Sequence, residues 1–202
     1  MQRFKLVFML LVLSMLFSGL TWAQVVSNQT APNFAFTDTM GQKHSLSDYK
    51  GKFVVLEWFE PDCPFVKKHY NSGNIPGLQK QYTAKGVIWL SIDSSAVGKQ
   101  GNYPSEVLNK FMSDKGAAPT AIIIDANGTI GHLYGAQTTP HIFIINPQGT
   151  LIYQGAIDDT PSTDIDDIKT AKNYVIATLD AAMNGKPVLV STTKSYGCSV
   201  KF

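Results

Sequence analysis

Two apolar segments constrain the fold of this 202-residue chain more than any other feature. Residues 53–59 and residues 86–93 are each almost continuously apolar and rich in β-branched and aromatic side chains. Strands of this composition are typical of parallel sheets that are covered by helices on both faces. The stretch between them, residues 64–85, is predicted to be helical, with an interruption near residues 73–77. A strand–helix–strand unit therefore lies at the centre of the predicted fold.

The remaining patterns extend this unit into one α/β domain. Residues 147–149 read Pro-Gln-Gly between two apolar segments and predict the turn of a β-hairpin. Residues 158–167 carry five aspartates and predict a surface loop. The predicted strands are residues 33–38, 53–59, 86–93, 121–125, 141–146 and 150–156, and the predicted helices are residues 64–85, 104–115, 129–134 and 168–184. This order predicts an α/β layer sandwich whose mixed central sheet is flanked by helices.

The first residues have the pattern of an export signal. Residues 1–5 are basic, residues 6–20 are apolar, and Ala23 offers a small residue at a cleavage position. We predict a signal peptide at residues 1–23, a domain at residues 24–187 and a C-terminal tail at residues 188–202. An uncleaved anchor is the alternative, because the apolar run is close to the roughly 17 residues that span a bilayer. The expected location is periplasmic or extracellular, with membrane contact only if the segment is retained.

Charge and cysteine content limit the classes of function. The net charge is +2 without a basic or acidic block, so nucleic acid is not an expected partner. Two cysteines are too few for a disulfide-scaffold fold, but they can pair in an oxidising compartment. The mature chain of about 180 residues is long enough to bury a full core. No cofactor is predicted.

One of the two cysteines, Cys63, follows an apolar strand and precedes a helix-like stretch. Pro64 suits the first helical position, because its missing N–H would have no partner there. Unpaired N–H groups and the positive end of the helix dipole favour a thiolate at such a position. We therefore predict that Cys63 is a redox nucleophile. The alternatives are a buried structural thiol or one half of a static disulfide.

Several segments together resemble the thioredoxin-fold redoxins, which include TlpA-like exported thiol–disulfide oxidoreductases and the AhpC/TSA group. The resemblance rests on residues 31–34, on residues 51–59 before the cysteine, and on residues 138–149 with their Thr-Thr-Pro-His start. The chain departs from the usual Cys-x-x-Cys motif, since Val66 occupies the second cysteine position. Glu60 stands where the peroxiredoxin signature has a threonine.

The resemblance implies a thioredoxin-like three-layer sandwich and a set of site residues. Pro140 is expected to be cis and to pack against the cysteine loop, with the backbone of Thr139 free to pair with an extended substrate. Glu57 is expected to be a buried carboxylate that takes and returns the thiol proton, although an edge position or a structural pairing is the alternative. The substrate groove is expected to be lined by Trp58, Pro61, Pro64, Thr139 and Pro140.

His141 and Cys198 complete the candidate site. His141 follows Pro140, so we expect it near Cys63, where it would raise the thiolate fraction. A metal held by Cys63, His69 and His141 would lack the second cysteine that copper-handling relatives bring, so no metal is predicted. Cys198 is a candidate distant resolving thiol. Its alternatives are a permanent clamp on the tail, a free thiol or an intermolecular bond.

These observations predict an exported thiol–disulfide oxidoreductase that acts in redox homeostasis or, as an antioxidant, on hydroperoxides. Cys63 would attack, Cys198 would resolve, and the partners would be protein thiols or disulfides, small hydroperoxides and a thiol electron donor. The competing prediction is a non-catalytic thioredoxin-fold binding module in which Cys63–Cys198 is a structural disulfide.

Overall fold

The computed structural model describes residues 25–202, so the predicted signal peptide and its cleavage after Ala23 lie outside the described residues. Besides the strands and α-helices given below, short 3₁₀ helices occur at Leu46–Tyr49 and Asp166–Lys169. The strands are β1 (Ala35–Thr37), β2 (Lys43–Ser45), β3 (Val54–Trp58), β4 (Ile88–Asp93), β5 (Ala121–Ile124), β6 (Thr138–Thr139), β7 (His141–Ile145), β8 (Leu151–Gly155) and β9 (Cys198–Ser199). The helices are α1 (Pro64–Asn71), α2 (Asn74–Thr83), α3 (Ser105–Asp114), α4 (Thr129–Tyr134) and α5 (Tyr174–Met183).

The central sheet is mixed and has the strand order β5-β4-β3-β7-β8. The β3 strand pairs in parallel with β4, which pairs in parallel with β5, while β7 and β8 form an antiparallel hairpin beside β3. The predicted α/β fold with a mixed sheet is thus confirmed. The β3 strand lies at the centre of the sheet, and its sequence is apolar on both faces because apolar layers cover both faces of the sheet.

Apolar layers pack on both faces of the sheet. On one face Trp58 packs with Tyr134 and Phe143, beneath the N-terminal hairpin β1–β2 and helix α4. On the other face Val55 and Phe59 pack with side chains of α1, α2, α3 and α5. Because side chains alternate along a strand, residues 55, 57 and 59 face α1 and residues 56 and 58 face α4. This alternation decides which predicted site residues can meet.

The interruption predicted within residues 64–85 is confirmed, because α1 and α2 separate at Gly73, whose φ of 75° is a left-handed conformation that glycine adopts without strain. The last helix differs from its predicted start. The α5 helix begins at Tyr174 instead of residue 168, because the side chain of Asn173 caps it by accepting a bond from the amide of Ile176 at 3.1 Å. Residues 25–202 contain no helix with the length and apolar character that crossing a membrane requires.

Candidate active site at the Cys63–Cys198 disulfide

Cys63 lies where strand β3 ends and helix α1 begins. Cys63 is the N-cap residue of α1, and Pro64 takes the first helical position. The amide of Cys63 donates to the carbonyl oxygen of Glu60 at 3.1 Å, and the Cys63 carbonyl accepts from the amide of Lys67 at 2.8 Å. The sulfur is therefore held at the N-terminus of a helix, where the helix dipole favours negative charge.

Cys63 forms a disulfide with Cys198, 135 residues further along the chain. The two Cα atoms are 6.0 Å apart, within the range that a disulfide can bridge. The Cys63 side chain has no exposed surface, and Cys198 is half-buried. The tail thus covers Cys63 in the disulfide-bonded state.

The segment that contains the cis Thr139–Pro140 bond contacts both cysteines. The carbonyl oxygen of Thr139 lies 3.1 Å from Sγ of Cys63. Thr139 in β6 is also paired antiparallel with Cys198 in β9. The backbone that the resemblance assigns to an extended substrate is therefore paired with the chain's own tail.

Glu57 is fully buried on the α1-facing side of β3, the same side as Val55 and Phe59. Its carboxylate accepts four hydrogen bonds, from Trp89 Nε1 at 2.6 Å, Tyr70 Oη at 2.8 Å, Ser91 Oγ at 3.0 Å and Gln79 Nε2 at 3.1 Å. Burial raises the pKa of Glu57, and the four donors oppose that rise by stabilising the carboxylate. The structure therefore places a carboxyl of raised pKa in the same layer as Cys63.

His141 does not lie beside Cys63, which corrects the expectation from its position after Pro140. It pairs with Trp58 across β3 and β7, and its ring lies 4.5 Å from that of Phe143, on the α4-facing side of the sheet. Burial lowers the pKa of His141 to about 4, so its ring is neutral at neutral pH. Within residues 25–202 no hydrogen bond joins it to Cys63, and Gln137 donates its amide to Nδ1 at 3.2 Å. His141 supplies no cation for a thiolate.

Trp58 also differs from the expectation that it lines the substrate groove. It has no exposed surface and donates Nε1 to Ser94 Oγ at 3.0 Å, so it belongs to the core and lines no groove. Pro61 is buried in the cysteine loop and Pro64 is exposed at the start of α1. Thr139 and Pro140, which are buried under the tail, stay candidates for substrate contact together with Pro64.

Two residues of the tail that are not among the predicted site residues position Cys198. Gly197 has a φ of 129°, and a Cβ atom built on it would overlap the carbonyl oxygen of Thr139. The hydroxyl of Tyr196 bonds to His69 at 3.2 Å and, over a shorter distance, to Asp158. The Tyr-Gly-Cys order was the available signal, because glycine before a cysteine permits a close backbone approach.

Among residues 25–202, no three histidine, cysteine or acidic side chains lie close enough together to hold a metal ion. His69 and His141, which a metal site would have shared with Cys63, have separate hydrogen-bond partners. Lys67, downstream of Cys63, lies 3.4 Å from Asp62.

Comparison with known proteins places this site in a family. The AhpC/TSA family profile matches residues 27–154. The thiol-disulfide oxidoreductase ResA of Geobacillus kaustophilus is 31% identical over an alignment of 128 residues that covers 57% of this chain and 72% of that protein. The ResA of Bacillus subtilis is 28% identical over 122 residues, which are 60% of this chain and 63% of that protein.

Solved structures extend the likeness beyond the ResA match. An uncharacterised conserved protein of Geobacillus kaustophilus superimposes with a TM-score of 0.73 at 26% identity and covers 89% of this chain and 94% of its own. A Chlorobium tepidum protein assigned as thiol:disulfide interchange protein DsbE has a TM-score of 0.53 at 24% identity, over 65% of this chain and 85% of its own. The fold is thus thioredoxin-like, and the chain belongs to the AhpC/TSA family.

Proposed function

We propose that the protein is a thiol–disulfide oxidoreductase in which Cys63 is the attacking thiol and Cys198 the resolving thiol. The observation that carries the proposal is the Cys63–Cys198 disulfide at the N-terminus of α1, beside the Thr139–Pro140 segment. Membership of a family whose matched relatives are thiol-disulfide oxidoreductases supports the assignment. The valine at position 66 means that the second thiol comes from the tail instead of from the helix.

The proposed reaction is two successive thiol–disulfide exchanges. The thiolate of Cys63 attacks one sulfur of a substrate disulfide, so that a mixed disulfide forms and the other substrate sulfur leaves as a thiolate. Cys198 then attacks Sγ of Cys63, which forms the Cys63–Cys198 disulfide and releases the second substrate thiolate. Two electrons pass from the protein to the substrate, and an external dithiol donor returns them by reducing the disulfide.

Glu57 is the proposed proton acceptor of this site. Its raised pKa brings it nearer to the range in which a carboxyl exchanges protons with thiols at neutral pH. Tyr70 belongs to α1, the helix that Cys63 caps, and donates to the Glu57 carboxylate at 2.8 Å. This hydrogen bond links Glu57 to the helix that begins at Cys63.

The proposed setting is outside the cytoplasm, in the periplasm or beyond the cell. The basic and apolar start of the sequence carries this part of the proposal. The proposed substrates are protein disulfides or thiols. Small hydroperoxides are a variant, in which Cys63 would be oxidised to a sulfenic acid and Cys198 would condense with it to release water.

A second function is favoured by one specific observation, the absence of exposed surface on Cys63. A sulfur this well covered suits a structural disulfide that holds the tail on a binding module. The two functions predict the same bond and differ in how readily it is reduced.

Turnover measurements on the full chain test the proposal. The reduced protein is mixed with a dithiol electron donor and one oxidised substrate. The substrate is insulin, as the protein disulfide, in one assay and hydrogen peroxide in the other. We expect Cys63→Ser to abolish turnover, and Cys198→Ser to accumulate a mixed disulfide that mass spectrometry detects. Full turnover by Cys63→Ser would refute the proposal. A wild-type protein that is inactive with both substrates would favour the structural disulfide.

A further inference from the structure

The last residues of the tail lie on the site as a peptide ligand would. Cys198 and Ser199 form β9 and pair antiparallel with Thr139 and Thr138. The amide of Val200 donates to the carbonyl oxygen of Gln137 at 3.0 Å, which continues the contact. Within residues 25–202 the β6 strand has no other strand partner, so removal of the tail would leave an open strand edge beside Cys63. Open edges are sites at which extended peptides add as a further strand.

Gly197, the residue before Cys198, fits against the β6 edge because it has no side chain. Gly197 approaches the carbonyl of Thr139 so closely that no Cβ atom has room, and its φ of 129° disfavours any other residue. The edge therefore selects for glycine immediately before the bonded cysteine.

The tyrosine two residues before Cys198 is held by a chain of polar groups, of which His69 and Asp158 are buried and Asn74 is half-buried. The Asn74 side-chain amide lies 2.8 Å from Nδ1 of His69, and Nε2 of His69 lies 3.2 Å from the hydroxyl of Tyr196, which bonds to Asp158. Burial, with Lys68 nearby, lowers the pKa of His69 to about 3, so the ring is neutral. The network then assigns Asn74 as donor to His69, His69 as donor to Tyr196, and Tyr196 as donor to Asp158. Phe65 adds an edge contact to the Tyr196 ring.

From these contacts we propose that residues 196–200 occupy, in the oxidised protein, the binding site for an extended cysteine-containing segment of a substrate protein. Reduction of Cys63–Cys198 releases the tail and opens the site. The preferred segment carries an aromatic hydroxyl residue, glycine, cysteine, any residue and an apolar residue in that order. The proposal rests on the proposed function, because it uses Cys63 as the attacking group.

This arrangement couples resolution to product release. A substrate held in a mixed disulfide with Cys63 occupies the β6 edge that Cys198 needs. When Cys198 attacks Sγ of Cys63, β9 re-forms on Thr138–Thr139 and the substrate thiolate loses both its covalent bond and its strand pairing. No electrons or protons beyond those of the exchange are required.

Amide hydrogen exchange on the full-length wild-type protein tests the opening. We expect the amides of residues 196–202 to exchange at least about 10-fold faster after reduction, because they lose the β6 pairing, while those of β4 do not change. Equal protection of the tail before and after reduction would overturn the proposal.

A peptide probe tests the substrate class. The probe has the sequence of residues 195–201 with its cysteine activated as a thionitrobenzoate disulfide, and the partner is full-length Cys198→Ser. We expect a probe with alanine in place of glycine to react with Cys63 at least about 10-fold more slowly, because its Cβ atom overlaps Thr139. Equal rates for the two probes would overturn the proposal. Failure of Cys63 to react with either probe or with a small aromatic disulfide would overturn the proposed function itself.

A matched pair of variants separates tail release from misfolding. In the chain that keeps both cysteines, Gly197→Ala disfavours the seat of the tail on Thr139, so dithiothreitol is expected to reduce Cys63–Cys198 about 10-fold faster. Gly185→Ala is the control, because Gly185 also has a positive φ, 66°, but has open space around it and lies away from the site. Far-UV circular dichroism checks that both variants are folded. No acceleration in Gly197→Ala relative to Gly185→Ala would contradict the proposal.

Discussion

Glu57 combines deep burial with a complete set of hydrogen-bond donors. Burial raises its pKa above the ordinary 4.5, so the folded state retains a proton that the unfolded state releases over the interval between the two values. The stability contributed by this proton is full below pH 4.5 and is lost as the pH rises through the folded-state pKa. Glu57 is therefore expected to make the protein less stable as the pH rises from acid toward neutral.

Glu57→Gln is predicted to flatten this pH dependence. The glutamine oxygen can accept from Trp89, Gln79 and Ser91, and its amide can donate to Tyr70, whose hydroxyl rotates to accept. Urea denaturation of the oxidised protein from pH 4.5 to 8 measures the effect. A residual slope of stability against pH is expected from Asp93, because burial raises the pKa of Asp93 to about 6.

The control for this variant is Glu106→Gln, at an exposed position in the first turn of α3. It removes one carboxylate from the surface and leaves the hydrogen bonds of Glu57 intact. If Glu57→Gln had the same slope as Glu106→Gln, Glu57 would not be the group that holds this proton.

Local signals predicted the position of Cys63 between a strand and a helix, but they failed for two other residues of the predicted site. The apolar strand, the cysteine and Pro64 are contiguous, so their order alone predicts a strand-to-helix turn. The surroundings of the His141 and Trp58 side chains depend on which face of the sheet each side chain occupies. Sequence proximity to Pro140 or Cys63 does not specify that face, and β3–β7 pairing places both rings on the face away from α1.

At the element scale, the least predictable elements are those that build the site. The strands β6 and β9 contain two residues each, and their pairing joins segments about 60 residues apart. No hydrophobic period exists in two residues, so only the packed tail reveals them. The long strands β3 and β4 show the opposite behaviour, since their apolar runs predict them directly.

Tyr196→Phe is predicted to destabilise the oxidised protein and to have little effect on the reduced protein. Loss of the hydroxyl leaves Asp158 and His69 without a shared partner in a buried site, which costs about 1–3 kcal/mol. After reduction the tail is expected to leave that site, so the variant and the wild type should converge. Denaturant unfolding in the presence and absence of a phosphine reductant measures both states.

Tyr82→Phe is the matched control. Its hydroxyl donates to Asp180 at 3.0 Å between α2 and α5, away from the tail. It should destabilise the oxidised and reduced proteins by the same amount. An equal effect of Tyr196→Phe in both states would mean that the tail stays docked without the disulfide.

For the molecule as a whole, the disulfide closes a loop that runs from the end of β3 to the C-terminal tail. A separation of 135 residues corresponds to about 5 kcal/mol of loop-closure entropy in the unfolded chain. The two apolar layers on the central sheet do not depend on the bond, so the reduced domain should stay folded.

Reduction is therefore predicted to lower Tm by about 10–20 °C without loss of secondary structure. Thermal unfolding followed by far-UV circular dichroism, with and without reductant, measures this. The variant Cys198→Ser should match the reduced wild type. A reduced protein that is unfolded at 25 °C would contradict a redox cycle, since the attacking form would have no site.

The fold at this scale was predictable from the order of the strands and helices. Apolar runs, turns and helix stops gave the mixed sheet, because each of these signals is local. The attachment of the tail through Cys63–Cys198 was predicted and is confirmed. The strand pairing of the tail was not predictable, since it arises from contacts of Tyr196, Gly197 and Val200 with distant parts of the chain.

The proposed function requires that Cys63–Cys198 opens and closes under exchange with other thiols. This requirement is measured by redox titration of the full-length wild-type protein in dithiothreitol buffers, with the free thiols counted by mass tagging. We expect a midpoint potential above about −300 mV, in the range of exchanging disulfides. A bond that stays closed below about −300 mV would contradict it and would identify a structural disulfide.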